Sequence, residues 1–248
     1  MNIILQRAAG LDVHKSMIVC TVLLVQADHT TKKVTQEFKT FRENLGEMAR
    51  WLKSFDIQLA VMESTSIYWK GPYEALENAA VPAWVVNAKH VKNVPGRKTD
   101  VRDSEWLAEL ALCGLLRASF IPPKDLRELR MLTRYRRKLS GMLCAEKNRM
   151  QKILEDGGIR LSSVVSDIDG VSAKAMIQII IDQGFIVPDE IVRLTKGKLK
   201  AKKDDLKLSL DGKISDRHRF VLKQMRTHIE SIKLQITEIV DQVVADGL

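Results

Sequence analysis

From Lys124 to Asp156 the chain runs without a proline and with one glycine, Gly141. Pro122–Pro123 stand just before this stretch and Gly157–Gly158 just after it, so breakers bound it on both sides. Within it, Leu129, Leu132, Leu139, Leu143, Met150 and Ile153 follow a three-four grid whose gaps are filled by Arg136 and Glu146. One long helix is the reading this pattern allows. A cleaner grid lies near the end of the chain, at Leu222, Met225, Ile229, Ile232, Ile236, Ile239 and Val243. Alternating spacings of three and four mark a coiled-coil seam. The two helices are expected to pair antiparallel with each other or to mediate dimerisation. Between them, Val171 to Ile181 reads as a small helix after the Asp169–Gly170 turn, so the C-terminal half is all-α.

The first ninety residues read differently. Ala8 to Val13 and Met17 to Val25 are apolar and rich in β-branched residues, with His14–Lys15–Ser16 as a tight turn. Lys33 to Phe41 alternates as a half-buried strand does. Asn44 is placed to cap a helix carrying Leu45, Met48, Ala49 and Leu52 at helical spacing. Gln58 to Met62 and Ala83 to Val86 read as short buried strands, separated by a helix in Tyr68 to Ala79 that begins near Pro72. Val101 to Leu116 is a further helix, ended by Gly114. Three strands able to meander, followed by helix, strand, helix, strand and helix, predict an RNase H-like mixed α/β sheet flanked by helices. The expected domains are 1–118, the sheet domain, and 119–248, the helical coiled-coil region.

Charge divides the chain again. Of the net +9, residues 111–160 supply +7, with 12 Lys/Arg against 5 Asp/Glu. Excess positive charge on one helix suits a polyanion, since each neutralised phosphate releases counterions. A plain solvated helix face is the alternative. The second basic cluster, Lys196, Lys198, Lys200, Lys202 and Lys203, reads as an exposed loop whose pull Asp204 and Asp205 reduce. The three cysteines, Cys20, Cys113 and Cys144, are widely spaced, which argues against a disulfide framework or zinc ribbon and suits a reducing, cytoplasmic compartment. Phosphate-loop, dinucleotide-binding and hydrolase-elbow signatures are absent from the sequence, as is HExxH spacing among the five histidines.

What remains is a set of carboxylates at element ends. Asp12 lies inside the first apolar strand, where a charge must be paired, metal-bound or at an edge. Glu63 follows the strand Leu59-Ala60-Val61-Met62, and Asp100 and Asp103 open a helix one turn apart. Singly, each has a structural reading: Asp12 paired with Lys15, Glu63 a surface acid, Asp100 a helix cap. Together they suit Mg2+ or Mn2+, which prefer carboxylate and water oxygens. Two such ions roughly 3.5–4 Å apart serve phosphodiester cleavage.

The stretches Gly10-Leu11-Asp12-Val13-His14-Lys15, Glu63-Ser64-Thr65-Ser66-Ile67-Tyr68-Trp69 and Lys98-Thr99-Asp100-Val101-Arg102-Asp103 resemble, in order and separation, three blocks of the DEDD transposases of the IS-one-ten insertion-sequence family. The resemblance continues through Asn87, Arg97, Leu129-Arg130, Asn148-Arg149-Met150 and Asp167-Ile168-Asp169-Gly170. It implies a RuvC-like recombinase in which Asp12, Glu63, Asp100 and Asp103 form a catalytic tetrad holding Mg2+ or Mn2+. It also implies DNA partners (element ends and target), a structured bridge RNA as guide, and a homodimer or tetramer through the coiled coil. The candidate nucleic-acid contacts are Arg127, Arg130, Arg134, Arg137, Lys147 and Arg149. Two departures stand out: Ser66 where the family usually has Gly, and Ser104 where it usually has Ala. The family's serine-bearing domain is expected after Leu248, so this reads as an N-terminal portion or a truncated copy, and no serine here is nominated as nucleophile. A RuvC-like junction resolvase or nuclease, and a non-enzymatic nucleic-acid-binding regulator, are the rival readings.

Overall fold

Five strands in the first half of the chain form one mixed sheet in the order β3-β2-β1-β4-β5. β1 (Arg7–Val13), β2 (Met17–Val25) and β3 (Thr31–Lys39) make an antiparallel meander. β4 (Leu59–Glu63) pairs parallel with β1, and β5 (Ala83–Val86) parallel with β4. This is the RNase H-like arrangement that the order of apolar runs predicts. The computed structural model describes residues 3–94 and 102–245, and the chain divides into two compact units, Met1–Pro122 and Pro123–Leu248.

Alternation sorts the strand residues of the first unit onto two faces. On one face Ala9, Leu11, Val13, Ala60 and Met62 pack with Met48, Ala49 and Leu52 of α1 (Arg42–Ser54) and Leu76 of α2 (Lys70–Asn78). On the other, Ala8, Leu59, Val61 and Val86 pack against Leu107, Leu110 and Ala111 of α4 (Asp103–Leu112), while the short α3 (Ala88–Lys92) adds Val91. Each large side chain fully buried here contributes on the order of 1.5–3 kcal/mol.

One helix start departs from expectation in this unit. α1 begins at Arg42 rather than after Asn44: Phe41, in extended conformation, is the cap, and its carbonyl accepts from Leu45 N–H. The Asn44 amide instead donates to Glu47 at 3.0 Å. α2 runs Lys70–Asn78, inside the expected Tyr68–Ala79 and starting two residues before Pro72, and successive turns take up the chain from Glu63 to Trp69. α4 begins at Asp103; the expected start, Val101, lies outside the described residues.

The second unit is helical among its described residues. α5 (Lys124–Asp156), α6 (Val171–Gln183), α7 (Pro188–Leu194), α8 (Lys203–Ser209) and α9 (Asp216–Ala245) are joined by turns and two 3-10 segments. The lysine-rich stretch, expected as a loop, is instead a 3-10 turn over Gly197–Lys202 running into α8, anchored by fully buried Leu206. α5 and α9 pair antiparallel. His218, early in α9, meets Asp156 at the end of α5 at 2.8 Å, and His228 lies 3.4 Å from Glu146. Leu222, Ile229 and Ile232 of the C-terminal seam are buried, with Met150, Leu154, Ile177, Ile180 and Leu206 sharing much of the same core. Glu146 occupies a seam position. Burial alone would raise its pKa, but hydrogen bonds from Arg149 and His228 hold it below the usual carboxylate range.

Candidate functional site

Strand register brings two of the predicted carboxylates side by side. β1 and β4 are paired up to Leu11 opposite Met62, so Asp12 and Glu63 are the next residues on neighbouring parallel strands. Adjacent strands lie about 4.8 Å apart, and residues in register project to the same face. That face is the one covered by α4.

α4 is aimed at the same end of the sheet. Its C-terminal residue, Leu112, accepts from the N–H groups of Ile4 and Leu5, just before β1, so the helix runs back along the strand and starts near the strand's C-terminal end. The approach is close enough to require glycine: a Cβ on Gly10 would lie 1.9 Å from the Ser104 carbonyl oxygen and 2.6 Å from the Ala108 nitrogen. Ser104 also shares a buried hydrogen bond with Thr21, hydroxyl to hydroxyl at 2.8 Å. Thr21 lies opposite Gly10 in the β1–β2 pairing. Asp103, one residue before Ser104, is thereby carried to the C-terminal end of β1, on a helix start whose dipole favours acids.

The four predicted ligands are not gathered equally. Asp12 and Glu63 are neighbours across strands, and Asp103 opens the helix above them. Asp100 lies outside the described residues. Among the described residues no three His, Cys, Asp or Glu side chains come close enough together to form a metal-binding group. The hard-oxygen pair Asp12–Glu63 still fits the chemistry of Mg2+ or Mn2+, which complete their shells with water and substrate oxygens. The partner of Asp12 is His14 rather than Lys15: Nε2 lies 3.0 Å from Oδ2, and the Asp12 side chain is 28% exposed. In the sequence His14 stands in the turn and in the first of the three blocks, with no role assigned to its side chain. The spacing of two between Asp12 and His14, which puts both on one side of an extended chain, was the available signal.

Backbone geometry marks the loop after Glu63. Ser64 N–H donates to the Val86 carbonyl at 2.9 Å, and Thr65 N–H to the Glu63 carbonyl at 2.8 Å. Ser66 follows with φ of 50°. A residue with a Cβ pays roughly 1–2 kcal/mol in that left-handed region.

The predicted nucleic-acid contacts all lie on α5. Arg130, Arg134 and Arg137 are exposed on its N-terminal half, and Arg127 is half-buried. Lys147 reaches Asp167 at 3.3 Å and Asp169 at 3.1 Å, while Arg149 reaches Glu146 at 2.7 Å. Lys147 thus ties α5 to the turn at Asp167–Asp169, whereas the Arg149 pair lies within α5 and leaves its side chain 62% exposed.

A family model described as a transposase, the DEDD type of IS110 (IS-one-ten) elements, matches residues 9–157. The chain belongs to the DEDD transposase family. In this family member the matched span takes in Asp12, Glu63, Asp100 and Asp103 and reaches the end of α5. Among solved structures, RuvC of Thermus thermophilus matches with a TM-score of 0.34 and 14% identity, over 46% of the transposase-family chain and 99% of RuvC. The same RuvC in complex with a Holliday junction substrate matches with a TM-score of 0.33 and 14% identity, over the same shares. A Ppx/GppA family member from Aquifex aeolicus matches with a TM-score of 0.27 and 10% identity, over 95% and 91% of the two chains. No curated protein matches. Among the described residues, no helix of this family member is long and apolar enough to cross a membrane.

Proposed function

We propose that the C-terminal edge of the sheet is the DNA-cleaving centre of an insertion-sequence transposase, with Asp12, Glu63, Asp100 and Asp103 as its acidic ligands for Mg2+ or Mn2+. The observation that carries this reading is the register of Asp12 with Glu63. Two acids side by side at a sheet edge repel one another unless a cation or a proton lies between them. Bound there, divalent ions supply the activation of the attacking oxygen and the stabilisation of the leaving one. The protein's own part is positional. Gly10 and the Thr21–Ser104 hydrogen bond seat α4, which carries Asp103 to the strand ends. His14 restrains the Asp12 carboxylate.

The exposed arginines of α5, Arg130, Arg134 and Arg137 with Arg127 beside them, are the proposed phosphate contacts. A structured guide RNA and the element DNA are both polyanions that such a stripe suits. Assembly into a dimer or tetramer through the α5–α9 pair completes the proposal, on the strength of the half-buried seam residues Ile236, Ile239 and Val243.

Donor excision and strand exchange, with Asp12→Asn and Asp103→Asn introduced together, test the assignment. Loss of both reactions with retained DNA binding is the expected result. Normal rates in the double variant remove these carboxylates from the active site. Cutting of a four-way junction by this chain alone with Mg2+ would favour a resolvase over a transposase.

A further inference from the structure

Three large apolar side chains stand in solvent at the same end of the sheet as the carboxylates. Phe41 is 70% exposed, Ile67 61% and Tyr68 37%. Ile67 and Tyr68 follow Glu63 by four and five residues. Phe41 follows β3, which runs in the same direction as β1 and β4 and therefore ends at the same edge. The starts of α1 and α2 bring the two segments together: a Cβ on Gly71 would lie 3.1 Å from Leu45 Cδ1. Thr40, next to Phe41, donates its hydroxyl to the Lys15 carbonyl at 2.9 Å, tying this segment to the β1–β2 turn beyond Asp12.

The exposure of Ile67 is built in. Behind it, Trp69 packs into the core and meets Tyr73 edge to face at 5.9 Å. Tyr68 N–H donates to Thr65 and Lys70 N–H to Ile67, so Ile67 sits at the crest of a turn. The left-handed Ser66 immediately before it holds the turn in this shape. Strained backbone beside a site is retained where the surrounding structure has a use for it. Around the apolar group lie exposed cations, Lys15, Arg42 and Lys70. An apolar protein partner would not need this rim, whereas a nucleic acid presents phosphates and apolar base faces together.

We propose that Phe41, Ile67 and Tyr68 form a wedge that enters an opened base step beside the phosphate held at Asp12 and Glu63, so that the substrate is locally unstacked DNA rather than regular duplex. The proposal rests on the functional reading above and specifies the substrate of that site. Apolar side chains inserted between base steps unstack them at modest cost, and aromatic faces recover part of it by stacking.

The test uses forked DNA with 2-aminopurine at the branch, Ca2+ in place of Mg2+ to prevent cleavage, and fluorescence anisotropy to follow binding. Wild type is expected to raise 2-aminopurine emission about 3-fold or more on binding. Phe41→Ala with Ile67→Ala should bind about 5–20-fold more weakly, a loss in the range of one stacked base. At saturating protein this double variant should give no rise in emission, while Ile67→Leu retains it. All three positions of substitution are at least partly exposed, and thermal melting checks that the variants fold. An undiminished rise with the double variant, or no rise with bound wild type, overturns the wedge. Cleavage that survives Asp12→Asn in Mg2+ overturns the active-site assignment instead, so the two failures are distinguishable.

Discussion

The hydroxyls of Ser104 and Thr21 share a buried hydrogen bond of 2.8 Å, joining the first turn of α4 to the second strand of the sheet. Thr21 has a further hydroxyl contact, Thr35 at 3.1 Å. Losing one partner of a buried polar pair costs about 1–3 kcal/mol when the survivor is left unsatisfied. Thr21→Val strands Ser104 and should cost in that range. Ser104→Ala leaves Thr21 bonded to Thr35 and should cost less than about 1 kcal/mol. In the double variant the Thr21→Val penalty should shrink, as read by urea denaturation in a double-mutant cycle. Equal and additive costs would show that the pair contributes nothing jointly.

Gly10→Ala is expected to be severe. The new Cβ would meet backbone atoms of Ser104 and Ala108, neither of which can swing aside as a side-chain end can. Overpacking of this kind costs about 1–3 kcal/mol, more where only a whole helix can yield. The displaced helix carries Asp103, so cleavage should fall further than stability. Chemical denaturation and a cleavage assay on the same sample separate the two effects.

Ser66→Gly should stabilise the chain by about 1 kcal/mol, because glycine adopts φ of 50° without the Cβ clash while adding some unfolded-state entropy. A thermal melt reads the gain. A destabilised variant would mean that the Ser66 side chain makes a contribution larger than its strain.

The acidic limb of stability should depend on Asp169. Burial would raise its pKa, but hydrogen bonds from Lys233 (2.6 Å) and Lys147 outweigh that and hold it below the ordinary aspartate range. A carboxyl depressed in the folded state adds stability above its unfolded pKa, near 3.9, and that stability is lost as pH falls through the folded value. Lys147, whose pKa burial would lower, is instead raised by Asp169 and Asp167, so its contribution is full below the ordinary lysine range and is lost as pH climbs beyond it through the raised folded value. Asp169→Asn should therefore cost about 1–3 kcal/mol at neutral pH and flatten the fall in stability below pH 4. An unchanged acid limb would show the network to be neutral.

Much of this architecture was legible in the sequence. The strands Met17–Val25 and Ala83–Val86 and the helix Lys124–Asp156 fall where apolar runs and breakers place them. Local signals sufficed there because each element's burial pattern is its own. The start of α1 differs from the Asn44 cap the spacing suggests, since capping depends on the conformation of Phe41, which composition does not reveal. The adjacency of Asp12 and Glu63 required strand order as well as strand positions. The pairing of Asp12 with His14, and of Ser104 with Thr21, depends on side-chain geometry across elements and left only faint traces in spacing. Lys147 and Arg149 read as free cations because their acids, Asp169 and Glu146, arrive from a turn and from the same helix one turn earlier.

The most direct measurement is the Mn2+ dependence of unfolding free energy for wild type, Asp12→Asn and Glu63→Gln. A cation that binds only the folded state stabilises it by about 2.7 kcal/mol at a hundred times its dissociation constant. Wild type should gain stability with Mn2+ and both variants should lose that gain while remaining folded. Equal stabilisation of all three by Mn2+ would contradict a metal site at the Asp12–Glu63 edge.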